Sequence, residues 1–305
     1  MNLLLGLAHV LIVLAMPILM VGLVNRTKSL WAGRKGPGLL QSLWDLLRLL
    51  GKSPVYSEVA TPLFRAGAWV GLTSALLAAL IAPIVGNFAP LQFDFDFIAF
   101  AYSIALARIF LMLSAMDVGS SFEGMGAARE ASFTAFVEPA LFLLIGTAGV
   151  ATGQSSFAAL MGQLQQTPAL LLPAVLVLFV LLQAEAARVP VDDPATHLEL
   201  TMVHEVMILD HSGPELAAMQ YAAALKMTMY AGLIAALLNP VSATRAPLAS
   251  LTAALALMCA VAVTVGGVES LVARLPMRNV PRYLMAASLL AALSLGAAGW
   301  MAGKI

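Results

Sequence analysis

Eight stretches of about 20 mainly apolar residues recur along the sequence, at 3–24, 68–88, 97–116, 133–152, 169–187, 216–238, 248–268 and 284–302. A helix rises about 1.5 Å per residue, so that length crosses a hydrocarbon layer roughly 30 Å thick. Composition points the same way: 61% of the residues are apolar and 10% charged, against about 45–50% and about 25% in soluble domains. A water-soluble globule is excluded. The first stretch has no basic residue ahead of it, and its apolar core exceeds the about 7–15 residues of a signal peptide, so it reads as a retained anchor. No repeat of about 20–50 residues, low-complexity tract or Ser/Gly linker divides the chain. The expectation is an all-α membrane protein, one integral membrane domain over 1–305 with eight transmembrane helices.

Lys and Arg resist translocation and collect on the cytoplasmic side. With the N-terminus outside, the cytoplasmic loops hold Arg26, Lys28, Arg34, Lys35, Arg48, Lys52, Arg65, Arg129, Arg188, Arg274, Arg278 and Arg282, and the outer side only Arg245 and Lys304. Both termini are therefore expected on the outer (periplasmic) side of a multi-pass protein of the cell inner (cytoplasmic) membrane. Sixteen basic residues balance sixteen acidic ones, so no net field points to nucleic acid, and the bilayer is the partner that composition implies. The long connections lie on the cytoplasmic side, where chemistry is expected. One carries GLLQSLWDLLRLLGK at 38–52, with Leu39, Leu40, Leu43, Leu46, Leu47 and Leu50 at helical spacing opposite Gln41, Asp45, Arg48 and Lys52. That pattern predicts an amphipathic interfacial helix.

Ionisable residues at membrane depth cost at least about 2.5–3.5 kcal/mol each on insertion scales, and so invite a functional reading. Here they are Arg108 in the third span, Glu138 followed by Pro139 in the fourth, Glu185 closing the fifth and Lys226 in the sixth. Together they predict a polar track through the bundle. The densest cluster, EAARVPVDDPATHLELTMVHE at 185–205, holds Glu185, Arg188, Asp192, Asp193, His197, Glu199, His204 and Glu205, with Pro190 and Pro194 preventing one continuous helix. Carboxylates interleaved with Arg and Pro suit an ion-paired proton-relay site better than a loose connector. His197, His204 and His211 are spaced by seven, too far apart for the usual metal pair at four. His204 and Glu205 open like H-E-x-x-H, but Ile208 stands where the second histidine belongs. The single cysteine, Cys259, excludes an internal disulfide or an iron–sulfur cluster held by this chain alone. No G-x-S-x-G, Walker A or dinucleotide-binding glycine motif is present.

Three stretches together resemble the eight-span subunit shared by respiratory complex I and the membrane-bound group 4 [NiFe] hydrogenases. GRKGPGLLQSLWDLLRLLGK, at 33–52, is similar to the family's R-x-G-P…L-Q…D…K segment, with Arg34, Gly36, Pro37, Gln41 and Asp45 on its marked positions. GMGAAREASFTAFVEP, at 124–139, keeps the family's nine-residue separation between an arginine, Arg129, and a membrane glutamate, Glu138, while Phe133 and Val137 replace its glutamine and tyrosine. The third stretch matches E-x-x-R-x-P-x-D-x-P at Glu185, Arg188, Pro190, Asp192 and Pro194, and sets Glu199 on a later family glutamate. Ala195 and His197 stand where complex I members carry two further acids, so the chain looks more like the hydrogenase branch, formate hydrogenlyase members above all.

The resemblance implies a membrane anchor and coupling subunit that docks a cytoplasmic hydrogenase arm and links its electron transfer to proton or cation translocation. It implies a [NiFe] large subunit, an iron–sulfur small subunit, a ferredoxin-like subunit and an antiporter-like membrane subunit as partners. The [NiFe] centre and the iron–sulfur clusters would then reside in those partners, with no cofactor, metal or catalytic centre on this chain. The proton or cation path would run through Glu138, Glu185, Asp192, Glu199, Glu205 and Lys226. Docking and loop ordering would fall to Arg34, Gly36, Pro37, Gln41, Asp45, Arg129, Arg188, Pro190, Asp193 and Pro194. In this picture Arg188 keeps the carboxylates ionised, Asp192 and Asp193 order the loop, and Glu138, desolvated in the bundle, is the relay. Three alternatives stay open: a quinone-chamber subunit of a complex I-type NADH:quinone oxidoreductase, a secondary transporter, against which no inverted repeat is visible, and a purely structural anchor.

Overall fold

A computed structural model describes residues 2–86, 88–193, 202–241 and 246–303, among which all regular structure is helical. Its helices are α1 (Asn2–Trp31), α2 (Gln41–Leu50), α3 (Pro62–Ile81), α4 (Asp96–Asp117), α5 (Ser121–Thr152), α6 (Phe157–Gln166), α7 (Pro168–Glu185), α8 (Gly213–Leu238), α9 (Pro247–Leu271) and α10 (Val280–Met301). Eight of these are long and apolar enough to cross a membrane, and each corresponds to one expected span. The chain is a multi-pass membrane protein.

Proline and polar caps set several helix starts. Thr61 accepts a hydrogen bond from the Leu63 amide at 3.2 Å, with Pro62 at the first helical position, where its missing N–H costs nothing. This starts the second span at 62 instead of the expected 68, and Pro83 stops it early by holding Ala82 extended. The apolar tail past the helix is still buried, at Ala82, Ile84 and Val85. Ile84 seats against Gly232 of α8, where a Cβ would come within 2.5 Å of its side chain. The fourth span begins at 121 instead of 133, because Glu123, Arg129 and Glu130 continue the same helix. The short α6 was not anticipated; Phe157, Leu160, Met161 and Leu164 bury one face at helical spacing.

Helix α8 is the axis of the bundle. Every residue from Leu225 to Leu237 is buried, and the helix packs on α1, α3, α7 and α9. Helix α3 lies along α4, α10 along α5 and α7, and α1 along α9. Helix α2 runs across α1 and α8 with no fully buried residue. Ser42 ties it to α1 by donating to the Ile18 carbonyl at 2.9 Å. Gly22 permits that crossing, since a Cβ there would collide with the Leu39 carbonyl oxygen. Alternation of the spans brings α2, the connection after α7 and the α9–α10 turn to one end of the bundle, together with the twelve basic residues named above.

Candidate functional site

Helix α4 carries Arg108 into the middle of the bundle, where its side chain is 3% exposed. A guanidinium presents five donors in a planar fork, and three carboxylates surround this one. Glu130 of α5 lies 3.3 Å from Nε, Glu138 of α5 lies 2.8 Å from one terminal nitrogen, and Glu185 at the end of α7 pairs with the other. The second carboxylate oxygen of Glu185 faces Lys226 Nζ of α8 at 3.4 Å. One turn further along α8, Tyr230 is wholly buried, its hydroxyl without a hydrogen-bond partner among the described residues and within electrostatic reach of Arg108 and Glu185. Four helices thus converge on two cations and three carboxylates, and with all five ionised the cluster carries one net negative charge.

The connection after α7 is organised by Asp192. One carboxylate oxygen pairs with Arg274 at 2.9 Å and accepts from the Asp193 amide at 2.9 Å. The other accepts from the amides of Val203 at 3.1 Å and His204 at 3.0 Å. Burial pushes the Asp192 carboxyl upward, opposed by these amides and by Arg274. Arg129 of α5 donates to the Met202 carbonyl at 2.7 Å, and the Leu275 amide donates to Pro190 at 3.0 Å. A 3-10 turn, Glu205–Ile208, then leads into α8. Burial, reinforced by the charge of Lys226 and opposed by Glu185, pushes the His204 imidazole down to about 4. His211 reaches a similar value through burial; it stacks on Phe64 at 3.8 Å and lies 3.1 Å from the Ser114 hydroxyl.

Two openings flank the cluster. Toward the basic end, a cavity of about 330 Å³ lies between α1, α2, α8 and residues 186–188 and 204–208. Its polar lining includes Asn25, Gln41, Arg188, His204, Glu205 and Tyr221. On the flank, a small groove between α4 and α5 is lined by Tyr102, Arg108, Glu138, Phe142 and Glu185.

Of the residues expected on the path, Glu138, Glu185 and Lys226 meet at Arg108, Asp192 stands beside them, and Glu205 faces the larger cavity. Glu199 and Pro194 lie outside the described residues. Two expectations are corrected. Among the described residues Arg188 does not pair with the path carboxylates: Ala187 takes a left-handed conformation (φ 49°) just after α7, and Arg188 pairs with Glu269 of α9, which also binds Lys28 at 2.9 Å. Glu138 is not buried within this chain, for its side chain is 42% exposed in the flank groove. It follows Glu130 by eight positions, a rotation of about 80° on a helix, which takes it from the core to the edge. The deeply placed carboxylates are Glu185 and Glu130. Arg34, Gly36 and Pro37 form the link from α1 to α2, where the Arg34 amide donates to Ser29 at 2.8 Å and Gly36 packs on the Ser29 side chain. Gln41 and Asp45 bond to each other at 3.0 Å along α2.

Glu130, Tyr230, Glu269 and Arg274 join the site without having been expected there. Only Glu130 carried a usable signal, since a helical pattern continued backward from Glu138 puts it two turns earlier near the same face. Among the described residues, no three His, Cys, Asp or Glu side chains gather as a metal site.

The fold and site define a helical, multi-pass membrane protein with an ion-paired cluster at its centre. The chain belongs to the NADH dehydrogenase family, whose sequence profile matches residues 4–302. It is 30% identical to formate hydrogenlyase subunit 4 of Escherichia coli (strain K12) over 230 residues, 74% of each chain. It is 29% identical to hydrogenase-4 component C of the same organism over 238 residues, 77% of this chain and 75% of the relative. Its fold matches a chain of the membrane-bound sulfane sulfur reductase, an archaeal respiratory membrane complex, with a TM-score of 0.78 at 19% identity, covering 96% of this chain and 98% of that one. The resemblance drawn from the three motifs is borne out.

Proposed function

We propose that this chain is the membrane anchor and coupling subunit of a [NiFe] hydrogenase complex of the formate hydrogenlyase type, in the cell inner membrane with both termini periplasmic. Its basic end docks the large subunit, the iron–sulfur small subunit and a ferredoxin-like subunit. Those partners hold the [NiFe] centre and the iron–sulfur clusters, and α2 lies in the membrane interface beside them. An antiporter-like subunit covers the flank at Glu138. The two hydrogenase relatives support the class of complex, and the three motifs support the hydrogenase branch.

The single observation that carries coupling is the surplus carboxylate around Arg108. Buried charge without full compensation is costly, so three acids facing two cations leave one carboxylate without a cation of its own, a place where a proton in transit can be held. The cluster lies between the cavity at the docking end and the groove on the flank. A change in the Asp192-ordered connection on turnover of the arm alters the balance at Glu185, and the proton leaves by Glu138. Such coupling requires the arm to bind two states of this connection differently.

The test is purification from membranes in mild detergent through an added C-terminal tag, then reconstitution into vesicles holding a pH-sensitive dye. Nickel, iron–sulfur proteins and hydrogen turnover should accompany the tagged chain. Glu185→Gln and Glu130→Gln should each still recover the arm but lower proton movement per hydrogen at least tenfold. A tagged chain that elutes without hydrogenase activity overturns the assignment. A second reading, a quinone-chamber subunit, is favoured by the cavity of about 330 Å³, a volume within the usual range for a small-ligand site. Labelling of its lining by a photoreactive quinone, together with an NADH-oxidising partner in the eluate, would establish that reading instead.

A further inference from the structure

His204 stands where three internal spaces meet. It lines the cavity of about 330 Å³ beside Glu205 and Tyr221. It also lines a space of about 10 Å³ bounded by Arg108, Glu130, Glu185 and Asp192. A third space, of about 30 Å³, it shares with Lys226 and Met219. Among the described residues no other side chain lines all three of these spaces. Among the described residues its Nε2 is buried without a hydrogen-bond partner, and a buried polar atom is ordinarily bonded. Its backbone is nonetheless fixed, because the His204 amide donates to Asp192 at 3.0 Å and the 3-10 turn begins at the next residue.

We propose that His204 is the proton-transfer residue that joins the docking-end cavity to the carboxylates around Arg108. The inference rests on the coupling function proposed above and names the entry point of that path. A proton arriving from the cavity binds the unprotonated ring nitrogen of the neutral imidazole. The proton on the other nitrogen passes to Glu185 or Glu130, through the single water that a polar space of about 10 Å³ admits. One N–H bond forms, one N–H bond breaks and one carboxylate gains an O–H bond, with no electron transferred. A ring turn, or the next proton, restores the starting tautomer.

The charged groups that line these spaces together with the ring are Lys28 from α1, Asp45 from α2, Arg108 from α4, Glu130 from α5, Glu185 from α7, Lys226 from α8, and Arg188, Asp192 and Glu205 from its own connection. Burial and Lys226 keep the imidazole neutral at rest, so an added proton is passed on and not stored. Loosening the Glu185–Lys226 pair, 3.4 Å at rest, frees the acceptor carboxylate. Asp192 acts as a positioning residue, since its carboxylate holds the backbone on which the ring is carried.

The experiment uses the purified complex in vesicles, comparing wild type, His204→Gln and His204→Ala, with assembly read by co-purification of the arm. His204→Gln retains polar bulk but cannot relay a proton, and proton movement per hydrogen should fall at least tenfold. His204→Ala should fall equally and recover on addition of imidazole, which the adjoining cavity is large enough to admit, with the rate following the basicity across substituted imidazoles. A merely structural histidine gives no such dependence. Wild-type proton movement in His204→Gln, or a His204→Ala defect indifferent to imidazole, overturns the role of His204 while leaving the coupling reading standing. Absence of turnover-linked proton movement in the wild type removes the coupling reading, and this inference with it.

Discussion

Arg108 shows why a charge in the middle of a membrane bundle is tolerated. Its three guanidinium nitrogens each face a carboxylate on another helix, and removing one partner of such a buried set ordinarily costs about 3–5 kcal/mol because the remaining charge is left uncompensated. The sequence exposed Arg108, Glu138, Glu185 and Lys226 individually, since each interrupts an apolar run. It could not pair them, because partners 30 to 77 positions apart are brought together only by helix packing. His211 gives a prediction of a different kind. Burial lowers its imidazole from 6.5 to about 4, so below the ordinary value the unfolded chain binds a proton that the folded chain refuses. The contribution of His211 to stability should therefore fall as pH drops from about 6.5 to about 4 and level off below, with His204 acting in the same direction. Asp192, shifted upward, has the opposite sign and returns part of the loss toward the acid end. At about 1.36 kcal/mol per unit, each histidine contributes at most a few kcal/mol. Thermal unfolding of the detergent-solubilised protein across this window checks the sign, and His211→Phe, which keeps the stack on Phe64, should flatten the acid limb.

Helices α5 and α2 are the elements that turn the bundle into a site. Helix α5 is long enough to place Glu123 and Arg129 at the basic end, Glu130 against Arg108 and Glu138 at the flank. Only its apolar half was legible beforehand, because hydropathy cannot recognise a span whose first turns are charged and compensated by neighbours. The helical conformation of α2 was legible from its two contrasting faces. Trp44, Leu47 and Leu50 stay exposed in the isolated chain, as expected of a helix whose apolar side faces lipid or a partner. With Trp31, Trp69 and Trp300 replaced by Phe, the emission of Trp44 should be shifted to the blue and quenched by lipids brominated high on their acyl chains. Emission resembling that of a tryptophan in water, and insensitive to bromine, would place α2 away from the bilayer.

The molecule as a whole is polarised. The described arginines and lysines outside the central cluster lie at the end formed by α2, the Asp192 connection and the α9–α10 turn, and the cavity opens there. On a Cys259→Ala background, Ser53→Cys should react with a membrane-impermeant maleimide only after the membrane is permeabilised, and Gly303→Cys from outside the intact cell; the reverse pattern would invert the orientation. The number of spans, the amphipathic helix, the sign of each end and the family were determined by sequence alone, because hydrophobic length, helical period and charge exclusion act locally along the chain. Which carboxylates are buried, that Arg108 and not Arg188 holds them, and that His204 borders both cavity and cluster were decided only by tertiary structure. Desolvation and ion pairing depend on distances between helices, and those distances are set when Ile84 seats on Gly232 and α8 is enclosed by α1, α3, α7 and α9.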